Sequence, residues 1–501
     1  MKWNIPQSII AVLLVSGMSC TPAKNNFNKT SFRDKIYACW LGKNIGGTLG
    51  MPFEGKTEIN NISFYTNLKT GEPSANDDLD LQILWLKAME ENGGRVNACT
   101  LGKYWLKYVP VDWNEYGVGK QNMKMGIMPP LSGEYNNKKW KTSNGAWIRS
   151  EIWACLAPGN PMLAAKFAWE DACVDHGVAE GTIAEIFTAS LESAAFIQHD
   201  IYVLIDFALS MIPANSQTAV AIRTAVNSRK AEKDWQTARA EVINATEKLG
   251  WFQAPRNVAF TMIGLLWGEG DFGKSICIAV NCGDDTDCTG ATLGSILGII
   301  GGTKAIPARW REPVGDKIIN VAISGFEAPK NINALTDQTL AMAEKLTELY
   351  PMPFSITDNK TRIHGVQDLL RPDTDQLNEL LNRSPYRITC NEQNISVTID
   401  YFKDPLIRND DNRQINIAVQ NPDNKEKDID VKLEGTPEGM IISGIPPAPF
   451  RLSAQSVRSF DLLIETGKLK SDLIRMNLSV SSDSGMVNIP VTFVREKINP
   501  D

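Results

Sequence analysis

The stretch NCGDDTDCTGATLGSILGIIGG, Asn281 to Gly302, sets Asp284, Asp285 and Asp287 ahead of an uncharged run in which Gly290, Gly294 and Gly298 recur at every fourth position. That spacing puts the glycines on one face of a helix, where the missing side chains let another backbone approach closely. An acidic residue at a helix start is ordinary, because its carboxylate caps free N–H groups and the helix dipole favours negative charge. One aspartate satisfies that demand, and the others exceed it.

Two further stretches belong with this one. GGTLGMPFEGK, Gly46 to Lys56, ends a glycine-spaced helix with the lone acid Glu54, and NDDLD, Asn76 to Asp80, opens another helix with Asp77, Asp78 and Asp80. If the acidic turns meet in space, each carboxylate pair ~4 Å apart costs on the order of 4 kcal/mol at an effective dielectric of about 20. Divalent cations that seek oxygen ligands turn this repulsion into attraction, and Mg²⁺ or Mn²⁺ prefers such donors. Two separate solvated caps are the other reading that the residues alone allow.

In this order the three stretches resemble the ADP-ribosylglycohydrolase family. That family carries a Pro-x-Glu element after a glycine-spaced helix, then Thr-Asp-Asp-Thr, then Gly-x-Asp-Thr-Asp-Thr before a helix of small residues. The counterparts here are GMPFEGK, NDDLD and GDDTDC. NGAWIRSEIW, Asn144 to Trp153, is similar to the family's Gly-x-x-x-Arg element, and DACVDHG, Asp171 to Gly177, to its helix ending in histidine.

The resemblance spans residues 30–350. It implies an orthogonal all-α bundle holding one or two Mg²⁺ or Mn²⁺ ions, and cleavage of the bond between an ADP-ribose anomeric carbon and its acceptor. By position, the metal residues would be Asn76, Asp77, Asp78, Asp285, Asp287 and Cys288. Glu54 would be a ligand or the acid/base carboxylate, acting with Asp78 and Asp285 as the catalytic set. Gly145, Arg149 and His176 would face the substrate. Asn76 and Cys288 stand where the family has threonine; an amide oxygen still suits a hard cation, whereas a thiol is a poor Mg²⁺ ligand.

Each of these residues also has a plainer reading. His176 at a helix end can be a hydrogen-bonded structural residue, Arg149 can pair with Glu151, and Cys288 is expected to pack as a buried apolar group.

The helical pattern runs from about residue 30 to 350, as in LDLQILWLKAMEE, where Leu79, Ile83 and Leu86 share a face. Similar stripes cover Pro161 to Ala172, Thr182 to Ile197 and Ala238 to Leu249. The pattern lapses between Pro110 and Gly145, which reads as a long loop whose aromatic residues Trp113, Tyr116, Tyr135 and Trp140 argue against disorder, the two readings being a wall of a binding cleft and a packed surface loop. Residues 351–384 read as a connector with a short helix near Gln376 to Leu381. From 385 to 497 the period changes to two, as in Ile415, Ile417, Val419 and Val487, Ile489, Val491, Phe493, which predicts an immunoglobulin-like β-sandwich. Nothing in the sandwich gathers catalytic residue types, so it is expected to be separable.

The first twenty residues combine Lys2, an apolar run from Ile9 to Val15 and small residues before Cys20, which reads as a lipoprotein signal with Cys20 as the anchor. A plain signal peptide cut nearby is the alternative. The other eight cysteines form no CxxC pair and read as buried free thiols. A net charge of −7 and the lack of a dense basic run exclude nucleic acid as the expected partner.

The sequence thus predicts an exported outer-membrane lipoprotein, facing the periplasm or cell surface, that hydrolyses a glycosidic bond with Mg²⁺ or Mn²⁺. Export favours a ribose-like or arabinose-like furanoside over protein ADP-ribose as the carbohydrate substrate. A non-catalytic glycan-binding or structural lipoprotein and a two-metal phosphoryl hydrolase are the competing classes, the last lacking any evident phosphate-binding motif.

Overall fold

In the computed structural model, residues 25–496 are described, apart from 67, 393 and 484. The signal segment and Cys20 lie outside the described residues. Among these, no helix is long and apolar enough to cross a membrane.

The helical region opens with Lys29–Gly50 (α1), followed by Asp77–Glu91 (α2), Ala98–Tyr108 (α3) and Asn114–Lys124 (α4), and it ends with Ile332–Leu349. Its organising contact lies between α1 and the helix Thr286–Gly301. Gly42 meets Gly294, Gly46 meets Gly290 and Gly50 meets Thr286, an antiparallel register. A Cβ on Gly46 would lie 1.9 Å from the Gly290 carbonyl oxygen, and one on Gly294 would lie 2.2 Å from that of Gly42. No side chain fits there, so the glycine spacing is a packing requirement. The register also brings the end of α1, and with it Glu54, to the acidic start of the partner helix.

Helices Pro161–His176, Glu180–Ala195 and Trp235–Ala245 fall on the apolar stripes read from the sequence. The expected loop between Pro110 and Gly145 is corrected: it contains α4 and the short helix Leu131–Glu134. In α4 the buried face is Glu115, Tyr116, Gly119, Lys120, Asn122 and Met123, too polar to give an apolar stripe.

Beyond the helices stand two five-stranded sheets, an arrangement that is sandwich-like. One runs Arg387–Glu392, Ile395–Asp400, Asn412–Asn421, Ser456–Thr466, Met440–Ser443, all antiparallel. The other runs Leu406–Ile407, Gly485–Arg495, Leu473–Ser482, Lys427–Glu434, Phe450–Leu452, antiparallel except for the short parallel pairing of its first two strands. Alternation holds along Asn412–Asn421, with Ile415, Ile417 and Val419 buried between exposed or half-buried neighbours. The connector is tied down as well: Phe354–Thr357 pairs in parallel with Asn25–Asn28, joining the two ends of the helical region.

Two of the expected free thiols are not free. Cys99, in the first turn of α3, is disulfide-bonded to Cys390 across 291 residues, with Cα atoms 5.3 Å apart. Pairing at that separation is set by how the sandwich docks, which spacing in the sequence does not report. Cys39, Cys155, Cys173, Cys277, Cys282 and Cys288 are buried free thiols. The bond fits an oxidising compartment outside the cytoplasm.

The sandwich core also reaches into the helical region. Ile127, Met128 and Leu131 pack in one buried cluster with the strand residues. Around it the Thr492 hydroxyl donates to the Gly126 carbonyl at 3.1 Å, Asn97 donates its side-chain amide to the Thr389 carbonyl at 3.0 Å, and Arg383 pairs with Glu170 at 2.8 Å. The expected separability of the sandwich therefore meets a shared core and a covalent tie.

Candidate metal centre and catalytic cleft

α2 starts where Asn76 accepts the Asp78 N–H on its side-chain oxygen at 2.8 Å. That oxygen serves as a helix cap, and the acids of the first turn fan out in three directions. Asp80 turns away, accepting from Asn320, Val321 and Ala322 at 2.6 Å each, and so fixes a loop at the cleft edge. Asp77 accepts the Tyr116 hydroxyl at 2.9 Å. Asp78 is fully buried beneath it, 3.6 Å from the Lys43 ammonium and 3.5 Å from the Cys288 sulfur, which donates to it. The packing reading of Cys288 is thus incomplete, since its thiol is a polar partner.

The GDDTDC turn is clamped to the Glu54 element through the backbone. Gly55 N–H donates to the Asp284 carbonyl at 2.9 Å, and Asp284 N–H donates to the Lys56 carbonyl at 2.8 Å. Asp284 takes a positive φ of 62° to do so, and its carboxylate pairs with Arg256 at 3.2 Å. Asp284 thus anchors the turn, and it belongs to neither group of ligand atoms described below. Asp285 is held by Asn144, which donates to its Oδ2 at 2.6 Å, and its own N–H donates to Asn257 Oδ1 at 3.0 Å.

These contacts leave Asp78 Oδ2, Asp284 Oδ1, Asp285 Oδ1 and Asp287 Oδ1 buried without a hydrogen bond, Asp78 Oδ2 facing the Lys43 ammonium at 3.6 Å. A buried unsatisfied carboxylate oxygen is costly, and a cation removes the cost. Two three-residue groups fit one: Glu54, Asp285 and Asp287, and Asp78, Asp287 and Cys288, each with ligand atoms within 4.8 Å of one another. Asp287 belongs to both. The first group offers only oxygen, which suits Mg²⁺ or Mn²⁺, while the second adds sulfur and suits a softer ion. Asp77 belongs to neither, and the Asn76 oxygen caps α2.

Electrostatics agree with that fit. Burial pushes Asp78 and Asp287 well above the usual carboxylate range, the latter helped by Asp285 and Glu54. Asp285 is pushed up to about 7 by burial, and Glu54 is raised by burial and by Asp77. Burial opposes the Lys43 ammonium, but Glu151 and Asp78 hold its pKa above the ordinary lysine value. Lys43 also donates to Glu151 at 2.7 Å, so one buried cation serves both acids.

The acids open onto a cavity of about 360 Å³ lined by Glu54, Asp77, Asp285, Asp287 and Cys288 together with Trp113, Glu115, Tyr116, Gly145 and Phe252. Trp113 and Tyr116 make part of the expected cleft wall, whereas Tyr135 packs on the sandwich core and Trp140 stacks edge-on against Phe252. Gly145 reaches the cavity. Arg149 and His176 do not line it: both are fully buried behind it. Arg149 pairs with Asp171 at 2.8 Å and Asp175 at 2.7 Å instead of Glu151. His176 lies between Asp175 at 2.9 Å and Ser143 at 3.3 Å.

Sequence reasoning missed Lys43, Glu115, Tyr116 as an acid's partner, and Asn144 as a donor. Lys43 left a signal, being the sole charge between Lys35 and Glu54 in a stretch of small and apolar residues. Glu115 left none.

Fold and cleft together define a helical hydrolase built around clustered, cation-seeking carboxylates. Residues 28–352 match the profile of the family described as ADP-ribosylglycohydrolase, and the chain belongs to that family. It is accordingly a hydrolase of glycosyl bonds. No curated protein matches the sequence. Two solved structures overlap about a fifth of it. The FixG-related protein from Vibrio parahaemolyticus is 9% identical, with TM-score 0.17, over 21% of this chain and 98% of its own. The GAE domain of GGA2p from Saccharomyces cerevisiae is 13% identical, with TM-score 0.17, over 22% and 99%. Both likenesses are too slight to bear on the fold or the site.

Proposed function

We propose that this protein is an exported, lipid-anchored, metal-dependent hydrolase that cleaves a ribose-like or arabinose-like furanosyl bond in the acidic cavity. The observation that carries the reading is the pair of buried oxygens on Asp285 and Asp287, residues of the cavity lining, that have no hydrogen bond. Glu54, Asp285 and Asp287 would hold Mg²⁺ or Mn²⁺, which would supply a positive centre for the vicinal hydroxyls of a furanose.

The chain's own residues do the rest. Asn144 and Asn257 hold Asp285 in place, and Tyr116 holds Asp77. Trp113 and Phe252 line the cavity, where a sugar's apolar side can rest against an aromatic ring. Glu54, at the cavity edge, takes the proton of the attacking water while the anomeric carbon develops oxocarbenium character.

A neutral furanoside is favoured over an ADP-ribosyl group because, among the described residues, no lysine, arginine or histidine lines the cavity to meet a diphosphate. The family match favours the second reading, an ADP-ribosyl-acceptor hydrolase. Incubation with furanoside polymers and with ADP-ribosylated protein, with Mg²⁺ or Mn²⁺ and an Asp287→Ala control, separates them by the sugar released. The lipid anchor rests on the sequence before Cys20, and the disulfide supports export. Loss of fatty-acid labelling in Cys20→Ala tests the anchor.

A further inference from the structure

Hydrolysis of a glycosidic bond draws on two groups, one that takes a proton from water and one that gives a proton to the departing oxygen. Glu54, Asp285 and Asp287 form one ligand group, and a cation held there would keep them ionised. None of them is then a ready proton donor. Asp77 accepts from Tyr116, and Asp78 does not line the cavity.

One further carboxyl does. Glu115 opens the buried face of α4, is 2% exposed, lines the cavity, and belongs to neither ligand group. Its Oε2 has no hydrogen-bond partner. Gly145 passes so close that a Cβ there would lie 2.2 Å from Glu115 Oε1, so the lack of a side chain at 145 is what admits this carboxyl.

We propose that Glu115, lining the same cavity as the metal-binding acids, is the catalytic proton donor to the leaving group. In the step it serves, the proton on its carboxyl passes to the glycosidic oxygen and the bond from that oxygen to the anomeric carbon breaks, its electron pair going to the oxygen. Water forms the new bond to the anomeric carbon and loses a proton to Glu54. The proton then returns to Glu115 through solvent, and the sum is glycoside plus water giving free sugar and alcohol.

The surroundings suit a carboxyl that carries a proton near neutrality. Burial pushes Glu115 up to about 7, against the nearby His176 and together with Asp175. Ser143 lies between Glu115 and His176, and the chain runs on through Asp175 to Arg149. Tyr116 adjoins it on its own helix. Arg149 and His176, which the motif pattern suggested as substrate contacts, act in this arrangement as positioning residues behind the acid.

The inference rests on glycosyl hydrolysis in this cavity, whichever sugar occupies it. The full chain is assayed in parallel on aryl furanosides and aryl ADP-ribosides whose phenols range from poor to good leaving groups. Glu115→Gln should lose about 100-fold or more on phenyl glycosides. On dinitrophenyl glycosides, which need no acid, it should keep activity within a few fold. In the parent, activity on phenyl glycosides should fall above about pH 7, and activity on dinitrophenyl glycosides should not.

Equal loss across all leaving groups, or none, overturns the role of Glu115. So does a parent whose basic limb is the same for both, a result that needs no variant to fold. Activity confined to the ADP-ribosyl series overturns the furanoside reading alone, since the leaving-group comparison is then read on that series.

Discussion

Asn144 donates to one oxygen of Asp285 at 2.6 Å and leaves the other oxygen of that carboxylate buried without a partner. One oxygen fixed and one free is how a ligand is held ready for a cation. In the metal-free protein burial raises Asp285 from 3.8 to about 7, and Asp78 and Asp287 move in the same direction. A raised folded pKa gives stability that is full below the unfolded value and is lost as pH rises through the folded one. Metal-free protein should therefore melt lower near pH 8 than near pH 5. Metal at a hundred times its Kd should add about 2.7 kcal/mol, most visibly at the higher pH. Calorimetry of the parent and of Asp285→Asn and Asp287→Asn, with chelator or Mn²⁺, checks this. A metal gain that survives in both variants would refute the shared site.

Gly46→Ala sets two effects against each other. Alanine favours a helix over glycine by about 1 kcal/mol. The added Cβ, 1.9 Å from the Gly290 carbonyl oxygen, forces α1 and its partner apart. Overpacking of this kind costs typically 1–3 kcal/mol and occasionally more, and backbone on backbone leaves little room to relax. The variant should melt lower and bind metal more weakly, because Glu54 moves with α1. A Tm equal to or above the parent's would mean that the helices yield at no cost.

The double variant Cys99→Ser, Cys390→Ser should lose about 2–5 kcal/mol of stability. Alkylation of the denatured parent should reveal two additional thiols after reduction. A chain ending at Ser384 loses the disulfide and bares Ile127, Met128 and Leu131, so it should aggregate or lose activity. A stable, fully active truncation would show that the shared core is dispensable.

Cys288→Thr tests the softer ligand group. Its sulfur lies with Asp78 and Asp287, and burial with the nearby carboxylates pushes the thiol well above its usual pKa. Threonine supplies oxygen in its place and should shift binding from Cd²⁺ toward Mg²⁺ by about tenfold or more. Titration of each ion by calorimetry reads the ratio, and an unchanged ratio would return Cys288 to a packing role.

Periodicity made the helices and long strands legible, because one face of each meets an apolar core. The short strands Leu406–Ile407, Met440–Ser443 and Phe450–Leu452 and the strand Arg387–Glu392 were not separately anticipated, the short ones offering too few residues to display a period. α4 escaped because it buries polar groups that serve the cleft, including Glu115 and Asn122. The acidic motifs announced themselves by exceeding what a helix cap needs. They did not say which acids point inward, and Asp80 and Asp284 proved to anchor loops. Arg149 and His176 were singled out by motif, but their burial behind the wall depends on contacts with Asp171, Asp175 and Ser143 from other segments.

The glycine register between α1 and Thr286–Gly301 also limits how this chain can vary over generations. Each residue inserted in a helix rotates the residues beyond it by about 100° and advances them about 1.5 Å. One added residue between Gly46 and Glu54 would carry Glu54 off the acidic turn, and one added between Asp285 and Gly290 would do the same to Asp287. Neither slip can be undone by the other, because the backbones touch at Gly42, Gly46 and Gly50 at once. Descendants of this sequence can therefore exchange many side chains, yet they inherit the lengths of these two stretches unchanged, and gains or losses of residues fall outside them.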